Sequence, residues 1–331
     1  MHRRTRRTLW IVTAVVLVLA AAVYLRFKAP PEAARLLPES DGIVYVNLRP
    51  LRAVMHKGIK PLPHAPEYQS FIDATGIDWE RDLNEAAIAL HRMPDPRGPN
   101  GPVAYSMVLV GKLDGKALAH YLGAHAASQE TYGGKTIYSL PSEGRTVRVC
   151  QIGYDTVAVS NTPSTEQIHS ILDRHRTAAL PFSGSSLLAE HYSEMPLLSV
   201  AWGMGEIGLP FSESGRVQVL GMSLPIPSDT TFLASVHWAG GLKLRVVEIA
   251  DSDATAASQA SSLNLLLNLA RGASTGLGSS PVNSGFQEVL RTAEITQKRN
   301  RVIANASLPK SLPVDLFNGN SPGSDAVTGS K

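Results

Sequence analysis

Residues 9–25 constrain this chain more than any other stretch. They read Leu-Trp-Ile-Val-Thr-Ala-Val-Val-Leu-Val-Leu-Ala-Ala-Ala-Val-Tyr-Leu, without a single charge. As a helix the run is about 25 Å long, near the short end of what crosses a bilayer. Thr8 and the apolar stems of Arg7, Arg26 and Lys28 extend it. Trp10 and Tyr24 stand near its ends, where amphipathic rings favour the membrane–water interface. Arg3, Arg4, Arg6 and Arg7 precede the run, and Arg26 and Lys28 follow it. The positive-inside rule then keeps the N-terminus in the cytoplasm and carries everything after residue 28 across the inner membrane. The expectation is a basic stub and transmembrane anchor over 1–28, with a periplasmic or extracellular body. A cleaved signal peptide is the rival, because Ala20 and Ala22 match the small-residue pattern of a cleavage site. Val23-Tyr24-Leu25 continues the apolar run past that site, which favours the uncleaved anchor. Both readings export the body, and no cysteine lies nearby to carry a lipoprotein anchor.

Of the 331 residues, 44% are apolar and 18% charged, enough to fill a core and too apolar for wholesale disorder. Cys150 is the sole cysteine, so an intramolecular disulfide framework and an all-cysteine zinc site are both excluded. The net charge of +3 belongs to the N-terminus. Setting aside the six basic residues of 1–28 leaves 25 basic against 28 acidic residues, an acidic balance unsuited to nucleic acid.

Ala29-Pro30-Pro31-Glu32 is a short stiff exit from the membrane, and 318–331 lacks core-forming residues except Val327 and reads as a disordered tail. In the first half, 29–195, strands are predicted at Gly42–Leu48, Asp82–Leu90, Val103–Leu113, Thr136–Leu140, Thr146–Ile152 and Thr156–Ser160. Helices are predicted at Pro66–Ala74 with Gly76 as C-cap, at Gly115–Ala127 capped by Asp114, and at Pro163–Thr177 with Thr162 as N-cap. In the second half, 196–317, strands are predicted at Leu197–Trp202, Val217–Leu224, Thr231–Trp238 and Leu242–Ile249. There follow helices at Ala254–Arg271, its core side filled by Leu263, Leu266, Leu267 and Leu269–Ala270, and at Ser284–Thr292, then one strand or a bent pair over Glu294–Ser307. Strands in adjacent antiparallel groups with helices after each group make an α+β class, with helices packed on antiparallel sheets. Strand pair, helix, strands recurs at 103–160 and 231–307. That raises two related halves, which sequence identity does not establish.

Leu37-Pro38-Glu39-Ser40-Asp41-Gly42 leads into an apolar strand, and Phe71–Asp78 leads into Glu80-Arg81-Asp82. Val110-Gly111-Lys112-Leu113-Asp114 precedes a helix that Tyr132-Gly133-Gly134-Lys135 follows. Over roughly residues 36–175 the chain resembles the uncharacterised membrane-anchored exported bacterial proteins grouped under domains of unknown function. The resemblance implies a single anchor and an exported α+β region, and carries no catalytic residues.

Gly203-Met204-Gly205-Glu206-Ile207-Gly208 matches the dinucleotide fingerprint in letters. Leu209–Gly215 after it has no helical periodicity to aim amides at a pyrophosphate, so a glycine-rich loop is expected and no nucleotide. Among ten histidines, His120 and His125, and His169 and His175, are misaligned for a shared metal, and no His-Glu-x-x-His occurs. Neither Gly-x-Ser-x-Gly nor a phosphate loop is present. Asp78, Glu80, Asp82 and Glu85 lack a calcium-loop order and read as helix-start acids. Cys150, inside a strand, reads as a buried inert thiol. No catalytic, cofactor or metal residue is therefore assigned. The best place for an unrecognised site is His56, His64 and His91 beside the acids 78–85.

The functional expectation is a single-pass membrane protein, held by residues 9–25, whose non-enzymatic exported domain binds a protein or envelope component. An exported hydrolase with a noncanonical site and a lipid or small-ligand module between the halves are the alternatives. Convergent titratable groups in a deep pocket favour the hydrolase, a closed apolar cavity favours lipid, and a shallow apolar patch favours a partner surface.

Overall fold

The computed structural model describes residues 3–55, 64–98, 101–142, 144–177, 184–206, 216–219, 222–225, 230–274 and 281–309. The tail 318–331, His56 and the segment 209–215 lie outside the described residues. Helix α1 spans Arg3–Lys28, and α2, Glu32–Arg35, follows after three residues. Among the described residues no helix is long and apolar enough to cross a membrane. The described side chains of α1 are those of residues 10, 12–20, 23, 24 and 28. Its large apolar ones, from Trp10 to Tyr24, are all more than half exposed.

The first half continues with β1 (Gly42–Asn47), α3 (Leu48–Met55), α4 (Pro66–Thr75), α5 (Trp79–Asp82), β2 (Leu83–Arg92) and β3 (Val103–Gly111). Then come α6 (Gly115–His125), β4 (Ser128–Tyr132), β5 (Lys135–Ser142), β6 (Arg145–Gln151), β7 (Thr156–Ser160), α7 (Glu166–Thr177) and α8 (Ser186–His191), closed by a 3₁₀ turn at Tyr192–Glu194. The second half holds β8 (Ser199–Glu206), β9 (Arg216–Val219), β10 (Met222–Pro225), β11 (Thr231–Trp238), β12 (Leu242–Ile249), α9 (Asp253–Ser274), α10 (Pro281–Thr292), β13 (Glu294–Lys298) and β14 (Arg301–Leu308).

Twelve of these strands form one sheet in the order β13-β14-β12-β11-β8-β1-β2-β3-β7-β6-β5-β4, and β9 and β10 pair separately. The class is α+β, built on a large antiparallel sheet. The seam is β1 against β8, with Val44 opposite Gly203. From it the chain runs outward twice: β1-β2-β3, helix, then strands returning to pair β3 through β7, and β8-β11-β12, helices, then β14 returning to pair β12.

Period-2 alternation gives the sheet two unlike faces. One face buries Ile43, Tyr45, Ala87, Val108, Cys150, Trp202, Met204, Leu233 and Val247 under α2, α7 and α8, with Leu36, Leu37, Ile168, Ile171 and Leu188. On the other, α6 through Leu118 and Leu122, α4 through Phe71 and the turn after α4 through Ile77 cover Val149, Val157 and Val159. At the far end of that second face α9 packs Ala256 and Ala260 against Val302.

Local chemistry sets the boundaries. Gly76 ends α4 at φ +68°, a left-handed conformation cheap only without a Cβ. Asp114 accepts the amides of Lys116 and Ala117 to start α6. Four expectations are corrected. The helix predicted from Pro163 begins at Glu166, because Arg148 takes the carbonyls of Thr162 and Pro163. The strand predicted over 217–224 is the hairpin β9–β10, with Val219 opposite Met222. Of the glycine-rich loop expected over 203–208, Gly203–Glu206 is the C-terminal half of β8, paired to β1 and β11 on its two sides, and 207 and 208 lie outside the described residues. In α9 the core side is Ala256, Ala260 and Leu263, while Leu269 is exposed.

Candidate functional site

At the end of the sheet where β1 begins, a cavity of about 580 Å³ is lined by Glu39, Asp41, His91, Thr162, Glu166 and Ser186, among others. His91, at the end of β2, is buried. Burial pushes its imidazole below its ordinary pKa, against the opposing pull of Asp41 and the Glu39 backbone. Its Nε2 lies 3.0 Å from Ser106 Oγ. From there a chain of hydroxyls crosses the sheet: Ser106 to Ser160 at 3.1 Å, Ser160 to Thr162 at 2.8 Å, and Thr162 donating to the Ser164 carbonyl at 3.1 Å. Register makes this chain, because Ala89 pairs Ser106 and Ser106 pairs Ser160, so all three point to one face.

Ser106 and Ser160 have no exposed surface. A substrate atom has no approach to either hydroxyl, so the chain is a self-satisfied polar network and supplies no nucleophile. Above it Glu39 accepts the Ser186 amide and hydroxyl at 2.9 and 2.7 Å and Arg174 at 2.8 Å. Burial alone raises the Glu39 carboxyl; the bonds from Ser186 and Arg174 outweigh it and hold the group below the usual carboxylate range. Glu39 therefore ties α8 and α7 to the chain entering β1. Ser40 Oγ, beside it, is buried without a hydrogen-bond partner.

The structure separates the histidines grouped by sequence. His64 lies at the start of α4, with Nδ1 3.2 Å from Gln69 Oε1 and Nε2 3.7 Å from Glu80. His91 is eight residues along β2 from Leu83, about 27 Å at strand rise. The acids 78–85 are occupied locally. Asp78 accepts the Glu80 amide, Asp82 holds Arg81 through both carboxylate oxygens, and Glu85 accepts the Tyr45 hydroxyl at 3.1 Å. Among the described residues no group of three histidine, cysteine or acidic side chains is placed to hold a metal ion.

Sequence reasoning missed two surfaces. The first is the middle of the second sheet face, where Val44, Ile88, Gly203, Ala234 and Val246 form a row across five strands, with Val236 in the row beside it. Each is half-buried, whereas their neighbours on the opposite face, such as Ile43, Ala87 and Met204, are buried. The helices on this face flank the row, and α3 packs along β2 and β8. The signal was that the second-face positions, Val44 and Val46 of β1 and Phe232, Ala234 and Val236 of β11, include no polar residue, where a solvent-facing side requires them. The second is a cavity of about 350 Å³ on the first face, between the 3₁₀ turn and the β13–β14 hairpin, lined by Glu194, Arg245, Lys298, Arg299, Arg301 and Ile303.

No family model matches the chain, and no curated protein does. Solved structures of TP0453 are similar in outline. Crystal form III is 12% identical with a TM-score of 0.45, covering 87% of this chain and 97% of that one. Crystal form I is 11% identical at the same TM-score, covering 88% and 98%.

Proposed function

We propose that this chain is a single-pass membrane protein, N-terminus in the cytoplasm, whose exported α+β body is a non-enzymatic binding domain for a protein or envelope component. The observation that carries the binding function is the half-open apolar row of Val44, Ile88, Ala234, Val236 and Val246. A sheet face this apolar is ordinarily covered, and one left partly open marks an interaction surface. It is a shallow strip flanked by helices, the form that favours a partner over an enclosed acyl chain. The buried serines beside His91 weigh against the hydrolase reading. The anchor is supported by the uncharged run 9–25 and by the exposure of α1's described apolar side chains, since a helix apolar all round needs lipid or a protein core about it.

The test places a photo-crosslinking residue at Val236 in the full chain, with Tyr154, 91% exposed on the β6–β7 turn, as control. A discrete adduct from position 236 only, whose purified component binds the full chain and loses binding to Val236→Asp, is the expected result. Equal adducts from both positions, or none, overturn the docking face. A reporter fused after Lys331 that is active only in the cytoplasm overturns the topology, and a mature N-terminus at Val23 replaces the anchor with a signal peptide.

A further inference from the structure

The cavity between the 3₁₀ turn and the β13–β14 hairpin gathers four cations around one carboxylate. Arg301 and Glu194 neutralise each other in a two-pronged pair, Arg301 Nε standing 3.0 Å from Glu194 Oε2. That leaves Arg245, Lys298 and Arg299. Among the described residues none of their side chains makes a hydrogen bond or ion pair. Arg245 Nε is buried with no hydrogen-bond partner, although its charge is felt by Glu194. A buried guanidinium nitrogen without an acceptor costs about 1–3 kcal/mol, and such groups are rare in folded proteins unless something outside the chain satisfies them. Arg299 sits at φ +54° in the tip of the hairpin, where glycine or asparagine is the ordinary occupant. A charge is thus kept at a position whose backbone disfavours it. Nearby, Lys243 is on the same strand face as Arg245, two residues along β12, and donates to Ser307 Oγ.

We propose that Arg245, Lys298, Arg299 and Arg301 form a binding site for a phosphate group. Arginine forks match phosphate oxygens, and a lysine adds a mobile point charge. Glu194 holds Nε and Nη2 of Arg301 and Asn300 Oδ1 accepts from its Nη1 at 3.2 Å, so Arg301 is fixed in place and adds charge, while Arg245, Lys298 and Arg299 offer the donors. The site lies at the end of the sheet where the chain enters it: Gly42 pairs Gly205, Gly205 pairs Phe232, Phe232 pairs Glu248, and Glu248 pairs Val302 beside the hairpin. Gly42 is fourteen residues beyond α1, and the buried α2 begins after only three, a reach of about 10 Å. If α1 lies in the bilayer, the phosphate of an anionic lipid headgroup is within the body's range; a soluble phosphate ester offers the same chemistry. The anion site itself stands apart from the docking face, and only its lipid source rests on the membrane reading.

The full chain in neutral, phosphate-free detergent micelles is titrated with inorganic phosphate by calorimetry. Saturable binding is expected, weakened about tenfold or more by Arg245→Gln, the loss of one charge-assisted bond. The exposed double variant Lys298→Gln/Arg299→Gln keeps the test valid if Arg245→Gln fails to fold. Lys112→Gln, outside the cavity, leaves binding unchanged. Doping the micelles with phosphatidylglycerol then assigns the source. Competition with inorganic phosphate identifies a lipid headgroup, and retained phosphate affinity identifies a soluble ester. No saturable binding by the folded chain, or equal binding by the cavity variants, overturns the site.

Discussion

Replacing Ser160 with alanine separates a structural hydroxyl chain from a catalytic one. The side chain has no exposed surface and makes two bonds within 3.1 Å, to Ser106 and Thr162. Each such bond contributes about 0.5–1.5 kcal/mol net, so losing both sums to about 1–3 kcal/mol. Both hydroxyl partners stay bonded, Ser106 to His91 and Thr162 to the Ser164 carbonyl, but the buried Thr162 amide, which donates to Ser160 Oγ at 3.4 Å, loses its acceptor. The expected loss therefore falls in the upper half, about 2–3 kcal/mol. For a body of this size that lowers the midpoint by about 2–4 °C per kcal/mol. Equilibrium unfolding of the full chain in neutral detergent reports it through Trp202, which is buried and stacked on Tyr45 at 5.3 Å. Exposed Ser164→Ala serves as control and stays within about 0.5 kcal/mol. The double variant Ser106→Ala/Ser160→Ala departs from additivity by about 1 kcal/mol, since the two hydroxyls share one bond. A loss below about 0.5 kcal/mol for Ser160→Ala, or strict additivity of the pair, refutes the assignment of these hydroxyls to a coupled network.

Three further outcomes follow from the same geometry. The folded state holds the His91 pKa below its ordinary 6.5, so below that pH the unfolded state binds more protons. Stability is full above about pH 6.5 and declines as pH falls toward the folded value; unfolding from pH 7.5 to 5.5 checks this, and His91→Gln removes that part of the slope. Burial pushes the Cys150 thiol up to about 11, so a thiol-specific chromogenic reagent at pH 8 is expected to label only unfolded chain, and prompt labelling of folded protein contradicts its placement in β6. A Cβ at Gly111 meets the Asp82 carbonyl oxygen at 2.6 Å, backbone against backbone, so Gly111→Ala destabilises by about 1–3 kcal/mol by denaturant titration, and a neutral effect contradicts the close approach of β3 to the start of β2.

Much of the fold is legible because its signals are local. Gly76, Asp114 and the Ala239-Gly240-Gly241 turn act within a few residues of themselves, and each falls where the sequence places it. Strand β4, Ser-Gln-Glu-Thr-Tyr, has no apolar alternation because it is the outer edge of the sheet and packs on little. The seam between β1 and β8 is hidden for another reason: Gly203 reads as a loop residue until strands on both sides occupy its backbone. The site was half legible. His91 stands out as a chemical residue, but its partners are hydroxyls delivered by register from β3 and β7, and register between distant strands leaves no trace in local sequence. Lys243 and Arg245 look like the solvent side of an ordinary strand. The clue was that their face turns apolar at Val247, which is buried, so the cations stand at a boundary of the core.

Those boundaries explain where both proposed surfaces fall. On the first face the covering helices, α2, α7 and α8, all belong to the first half and reach as far as β8. Beyond the 3₁₀ turn no helix of that layer lies over β12 and β14 among the described residues, and there the side chains change from Val247 and Ile303 to Arg245 and Arg301. On the second face α4 and α6 serve one wing, over β5, β6 and β7, and α9 and α10 the other, over β13 and β14, each helix group staying with strands that follow it in the chain. At the seam α3 contacts β2 and β8, the strands on either side of β1, and the row from Val44 to Val246 is half-buried there. The sheet ends in polar strands, Ser-Gln-Glu-Thr-Tyr at one edge and Glu-Ile-Thr-Gln-Lys at the other, with exposed side chains that discourage further pairing. Its open apolar surface thus sits at the centre, away from the edges where strands of another chain add most readily. A partner on this face meets side chains across five strands and leaves the sheet's own hydrogen bonds intact.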